Sequence, residues 1–176
     1  MNLQLSIAMA ANPRSWPIFD GRVKPKGIDL VPSMVLPSEL FWRQLKYGDF
    51  DVSEMSLSSY VASLGAPEPP FIAIPVFPSR CFRHSGIFVS EKSGIREPKD
   101  LVGKRVGTPE FQLTAPVWIR GILEEEHGVD HRSIHWFTER GEDIDFTPHA
   151  GLNITRIRDD QDLDTMFLSG ELDARM

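Results

Sequence analysis

Short apolar stretches of strand period alternate along this chain with stretches of helical period, and that alternation limits the available folds more than any other feature. Leu3, Leu5, Ile7 and Met9 recur at every second residue, the period of a strand with one buried face, so Met1 to Ala10 reads as the first strand. Asn12-Pro13-Arg14 follows as a loop, and Ser15 to Phe19 as a single turn or one-turn helix. Gly27 to Val35 reads as the second strand. A helix capped by Ser38 should then run to Tyr47 and stop at Gly48, before Asp51-Val52 opens a third, short strand. Ser56 caps the next helix, where Leu57, Tyr60, Val61 and Leu64 share one face and Gly65 ends it.

Beyond a Pro-rich loop, Phe71 to Phe77 and Gly86 to Ser90 both read as strands. Pro75 donates no ladder hydrogen bond, which points to an edge or a bulge. A polar connector from Lys92 to Lys99 and a turn over Asp100 to Gly103 lead into a strand over Lys104 to Gly107. The most regular helix comes next, with Ala115, Trp118, Ile119, Ile122 and Leu123 as its apolar stripe. Thr114 is its expected N-cap, Pro116 lies in its first turn, and Gly128 stops it. Ser133 to Phe137 reads as a strand, Glu139 to Gly151 as a polar, irregular loop, and Asp162 to Ser169 as a last helix feeding a strand from Gly170 to Ala174. Repeated strand–helix–strand units imply an α/β protein with mostly parallel sheets flanked by helices. Ligand sites in such folds lie beyond the carboxyl ends of strands.

Charge and composition exclude several function classes. The chain has a net charge of −6 and 25% charged residues, with no overall basic footprint, so no nucleic-acid partner is expected. Cys81 is the sole cysteine, which leaves no disulfide framework and no thiolate metal site. His127 and His131 stand four apart, but Gly128 breaks the helix between them. With His135 and His149 they read as solvated residues, and no metal is expected. No Gly-rich phosphate loop follows the first strand, and no nucleophile–His pattern stands out. Met1 to Ala10 lacks the basic and apolar regions of a signal peptide, and no segment reaches the ~18 apolar residues of a membrane span. A cytoplasmic protein with no membrane partner is the expectation.

Three segments together resemble the type II periplasmic-binding-protein fold. They are Asp51-Val52 leading into a Ser-capped helix, the DLVGKRVG string at Asp100 to Gly107, and the FLSGELDA string at Phe167 to Ala174. Within that fold the sequence is similar to the 4,5-dihydroxyphthalate decarboxylase family. The similarity is carried by EMSLSSY (Glu54 to Tyr60), AIPVFPSRCFRHS (Ala73 to Ser85), GTPE (Gly107 to Glu110), Thr114-Ala115 and WIRGIL (Trp118 to Leu123). The resemblance implies a two-lobed fold, with residues 1–92 as the first lobe and 93–176 as part of the second. It also implies that a further half completes the fold, on this chain or supplied by another. The implied activity is non-oxidative decarboxylation of a hydroxylated aromatic dicarboxylate such as 4,5-dihydroxyphthalate, with no cofactor. A homo-oligomer is compatible with it. The rival reading, from another class, is a solute-binding protein of an ABC-type transporter that captures a small anionic or aromatic ligand.

Decarboxylation of such a ring needs carboxylate recognition, a proton for the ring carbon and a dry site. Arg80 and Arg83 suit the first task, because guanidinium forks bind carboxylates bidentately. His84, with an ordinary pKa of ~6.5, suits the second, although neighbours on a strand point to opposite faces. Glu110 precedes the amphipathic helix; it either contacts a ring hydroxyl, orients the acid, or is a helix-start carboxylate facing the dipole. Thr114, Ser56 and Ser58 are candidates for substrate contacts at helix starts, or are simply caps. Arg120, well inside its helix, is expected to be exposed.

Overall fold

A computed structural model describes residues 2–176. They form two compact units, Met1–Arg80 and Cys81–Met176. In the first, β1 (Leu3–Met9) lies between β2 (Ile28–Met34) and β3 (Val52–Ser53), and both pairings are parallel. The strand read from the sequence is present, but its burial does not alternate: Leu3 is exposed, and Ile7, Ala8 and Met9 in the carboxyl half are all buried, as expected for a central parallel strand covered on both faces. A one-turn helix, α1 (Trp16–Phe19), follows β1.

Helix α2 (Pro37–Tyr47) connects β2 to β3. Its N-cap is Leu36 rather than Ser38, because Pro37 occupies the first helical position, where its fixed φ fits and its missing N–H is not needed. Gly48 ends the helix at φ +63°, a conformation that favours glycine. Gln44 then fastens the exit: its amide nitrogen donates to the Phe50 carbonyl and its amide oxygen accepts from the Phe50 N–H, both at 3.1 Å. Helix α3 (Leu57–Ser63) starts at an N-cap Ser56, as expected.

Phe71 to Phe77 is not a strand. Pro69, Pro70, Pro75 and Pro78 remove donors from this stretch, and its local hydrogen bond is a tight turn from the Val76 N–H to the Ile74 carbonyl at 2.7 Å. Ile72 is 94% exposed there.

The second unit is a five-stranded sheet in the order β4-β8-β5-β6-β7. Its strands are β4 (Phe88–Val89), β5 (Arg105–Thr108), β6 (His135–Thr138), β7 (Asn153–Arg156) and β8 (Ala174–Arg175). All pairings are parallel except β4 with β8. Parallel-dominated sheets flanked by helices therefore hold in both units. Successive β5 residues point to opposite faces. Val106 enters a core with Leu101, Phe111, Ile119, Leu123, Ile134 and Trp136, which α4 (Thr114–His127) helps to cover. Gly107 faces the other way, where an added Cβ would meet Leu172 at 2.8 Å and Leu163 at 3.0 Å. There α5 (Leu163–Ser169) packs Leu163 and Met166 against Leu172 and Ile157.

Thr114 is the first helical residue of α4, not its cap; Leu113 holds that position. The backbone N–H groups just ahead of the helix are taken instead by a distant carboxylate, Glu142. Among the described residues no helix is long and apolar enough to cross a membrane.

Candidate active site

The carboxyl ends of β5 and β6 bring a cluster of ionisable side chains together in the second unit. Thr108, fully buried at the end of β5, donates its hydroxyl to the Glu110 carbonyl at 3.0 Å. Past the end of β6, the N–H groups of Glu139 and Arg140 both donate to the Pro109 carbonyl, at 3.1 and 2.9 Å. These bonds hold segment 109–112 against the start of the loop that the sequence marks as irregular.

Glu110 is consequently buried, only 7% exposed. Arg140 Nη2 lies 2.9 Å from its Oε1. Burial pushes the Glu110 carboxyl from 4.5 up to about 7; the Arg140 charge opposes the rise, and Asp143 and Glu142 add to it. A carboxyl in that range holds its proton on roughly half of the molecules at neutrality, which suits a general acid.

The loop binds the same segment through further contacts. The Glu142 carboxylate accepts the N–H of Phe111 at 2.6 Å and of Gln112 at 2.9 Å. The Gln112 side chain donates to the Ile144 carbonyl at 2.7 Å. Phe146 stacks on Phe111, centroids 5.8 Å apart and planes 3° from parallel. Arg120 is buried beneath, not exposed as its helical position suggests. Its guanidinium lies 3.7 Å from the Phe111 ring centroid and donates to the Phe111 carbonyl at 2.7 Å. Burial lowers its pKa to about 10, and Glu142 favours the charged form.

The other expected residues lie elsewhere. Arg83 and His84 come together on a groove of about 210 Å³, rimmed also by Arg96 and His127 and walled by Ile119 and Ile122. His84 is half-exposed, with Nε2 3.2 Å from Glu126 Oε1. Glu126 stands near the far end of α4 from Thr114, about 18 Å along the axis at 1.5 Å per residue. The structure therefore does not bring His84 and Glu110 together.

Arg80 closes the first unit, with Nε donating to the Phe77 carbonyl at 3.3 Å. Ser56 and Ser58, also in the first unit, have their hydroxyls 3.1 Å apart. At the carboxyl ends of β1 and β3 stands Glu54, whose buried Oε1 has no hydrogen-bond partner. Burial raises the Glu54 pKa against the Ala10 N–H and the Arg14 charge. Arg140, Glu142 and Asp143 were missed by residue reasoning because they lie in a polar stretch without periodicity. A dense run of ionisable residues directly after a buried parallel strand was the available signal. Among the described residues no group of three or more His, Cys, Asp or Glu side chains is arranged to hold a metal ion.

Two curated proteins resemble the chain over nearly its whole length. It is 42% identical to the 4,5-dihydroxyphthalate decarboxylase of Comamonas testosteroni, over 98% of this chain and 54% of that protein. It is likewise 42% identical to the 4,5-dihydroxyphthalate decarboxylase of Pseudomonas putida, over 98% of this chain and 69% of that protein. The chain thus spans about half the length of the first relative and about two thirds of the second. No protein-family model matches it.

Proposed function

Because the chain belongs to the 4,5-dihydroxyphthalate decarboxylase family, we propose that the protein removes carbon dioxide, without oxidation, from a hydroxylated aromatic dicarboxylate such as 4,5-dihydroxyphthalate. The observation that carries the chemistry is Glu110: a buried carboxyl at the carboxyl end of β5, poised at about 7. A ring hydroxyl para to the departing carboxylate pushes electron density onto the ipso carbon. That carbon takes a proton, and carbon dioxide leaves as the ring regains aromaticity. The proton donor must be protonated at working pH and shielded from water. A pKa of about 7 and a buried position suit Glu110 to both requirements.

His84 is the alternative donor, half-exposed and beside Glu126. Arg83 shares its groove with Arg96 and His127 above aliphatic walls, a chemistry suited to an aromatic carboxylate. Arg80, Ser56, Ser58 and Thr114 are proposed as further polar contacts to substrate. We read the two sheets as parts of the lobes of a type II periplasmic-binding-protein-like fold, supported by the parallel strand–helix–strand units in each.

Carbon dioxide release from 4,5-dihydroxyphthalate tests the reading directly. Glu110→Gln should lower turnover by ~10²–10⁴-fold, whereas His84→Gln should leave the alkaline limb of the pH–rate profile in place. Tight binding of the diacid without carbon dioxide release would refute the enzyme in favour of solute capture.

A further inference from the structure

Most of the hydrogen bonds that fasten the loop starting at Glu139 land on residues 109–112, the segment that bears Glu110, while the Glu139 carboxylate accepts the Leu163 N–H at 3.3 Å. The Pro109 carbonyl holds the backbone of Glu139 and Arg140, and Glu142 holds Phe111 and Gln112. Gln112 in turn holds Ile144. Within this frame the Arg140 backbone is fixed, but its side chain is half-exposed, and Nη2 lies 2.9 Å from Glu110 Oε1. A guanidinium presents a fork of donors. The half-exposed head leaves part of that fork open to solvent and to a ligand anion.

We propose that Arg140 is a positioning residue that couples arrival of the substrate's carboxylate to proton loading at Glu110. The inference rests on the decarboxylase reading above. As the structure stands, the guanidinium pairs with Glu110. A dianionic aromatic diacid competes for it, because a ligand carboxylate can take two parallel N–H···O bonds, whereas the Glu110 contact is an ion pair between Nη2 and Oε1. Once the guanidinium swings away, Glu110 faces Glu142 and Asp143 without a compensating cation and takes a proton from solvent. Arg120, on α4, remains fixed under Phe111, where its charge acts on Glu142. The proton balance closes. One proton enters on Glu110 as the diacid binds, and the same proton ends on the ring carbon that loses carbon dioxide. The carboxylate of Glu110 then recovers Arg140 as product leaves.

The direction of each effect follows from the charges. Arg140 lowers the Glu110 pKa and the two acidic neighbours raise it. Removing the guanidinium, by substitution or by handing it to a ligand, therefore moves the titration upward, by about one unit or more for a close cation. A residue that merely braced the loop would not do this.

The test follows the Glu110 carboxyl by infrared difference spectroscopy, wild type minus Glu110→Gln, between roughly pH 5 and 9. The midpoint should lie near 7 in wild type, rise in Arg140→Gln and return most of the way in Arg140→Lys. Phthalate, which carries both carboxylates and no ring hydroxyl, should raise the wild-type midpoint in the same direction. An unchanged midpoint in Arg140→Gln, or a wild-type midpoint that phthalate does not move, overturns the proposal. This readout needs no turnover. Shifts as expected without carbon dioxide release would sink the decarboxylase reading alone, and release without the shifts would sink the coupling alone.

Discussion

Replacing Glu110 by Gln should make the protein more stable at neutral and alkaline pH and leave it nearly unchanged in mild acid. The carboxyl rises from 4.5 to about 7 on folding because burial disfavours its charged form. At 1.36 kcal/mol per unit, that rise corresponds to ~3 kcal/mol of differential stability. The contribution is fully present below the unfolded value of 4.5 and is lost as pH climbs through about 7. Above that, wild type carries an ionised, buried carboxylate, and its half-exposed partner Arg140 offsets only part of the burial cost. Glutamine is neutral throughout and nearly isosteric. Urea unfolding of both proteins at a series of pH values checks this, using fluorescence of the buried Trp136 in the same unit. The stability difference should grow with pH in favour of Glu110→Gln, by ~2–3 kcal/mol between mild acid and pH 8. A difference independent of pH, or one that grows in favour of wild type, would show that Glu110 is not held neutral by burial.

Three further outcomes are expected. Gly107→Ala places a Cβ 2.8 Å from Leu172 and 3.0 Å from Leu163, so thermal unfolding should show a loss of ~1–3 kcal/mol. Arg120→Ala removes a guanidinium stacked on Phe111 and the donor to its carbonyl. Chemical denaturation should register a loss of ~3 kcal/mol, and Arg120→Lys should not restore it because the planar stack is gone. If the groove bearing His84 is the carboxylate site, Arg83→Ala should weaken binding of an aromatic dicarboxylate by ~2–5 kcal/mol in calorimetric titration, with Arg83→Lys recovering only part; wild-type affinity in Arg83→Ala would remove that groove as the binding site.

The fold was legible wherever a single periodicity dominated. The strand at Leu3 to Met9, the span of α4 and the glycine stops at Gly48 and Gly128 were readable because each reports a local preference, whereas the buried face of α4 was not: Ile119 and Leu123 pack inward, but Trp118 is exposed and Arg120 is buried. Legibility failed where a partner far along the chain decides. Phe71 to Phe77 has strand composition, but its prolines remove the donors a ladder needs. Asn153–Arg156 became β7 by pairing with β6, although its own four residues alternate too briefly to announce it. Thr114 looked like a cap only because Glu142, which serves the neighbouring N–H groups, lies about thirty residues on. The site divided in the same way. Glu110 was visible beside a strand end, while its burial and its pairing with Arg140 depend on how β6 exits the sheet.

The position of β8 has a consequence for how the second unit comes into being. β8 sits between β4 and β5, yet it follows every other strand of that sheet in sequence. Strands β5, β6 and β7 follow one another in the sheet and can pair without β8, which leaves one flank of β5 bare and β4 without a neighbour until β8 is inserted. The inserted strand is fastened by Arg105, which binds Asp173, 68 positions further along, through its backbone N–H and two guanidinium nitrogens at 2.9–3.0 Å. A contact so distant in sequence makes closure slow relative to the local helices. Until then the exposed flank of β5 is a template for pairing with another nascent chain. The Arg105–Asp173 clasp therefore fastens the strand on which completion of the sheet depends.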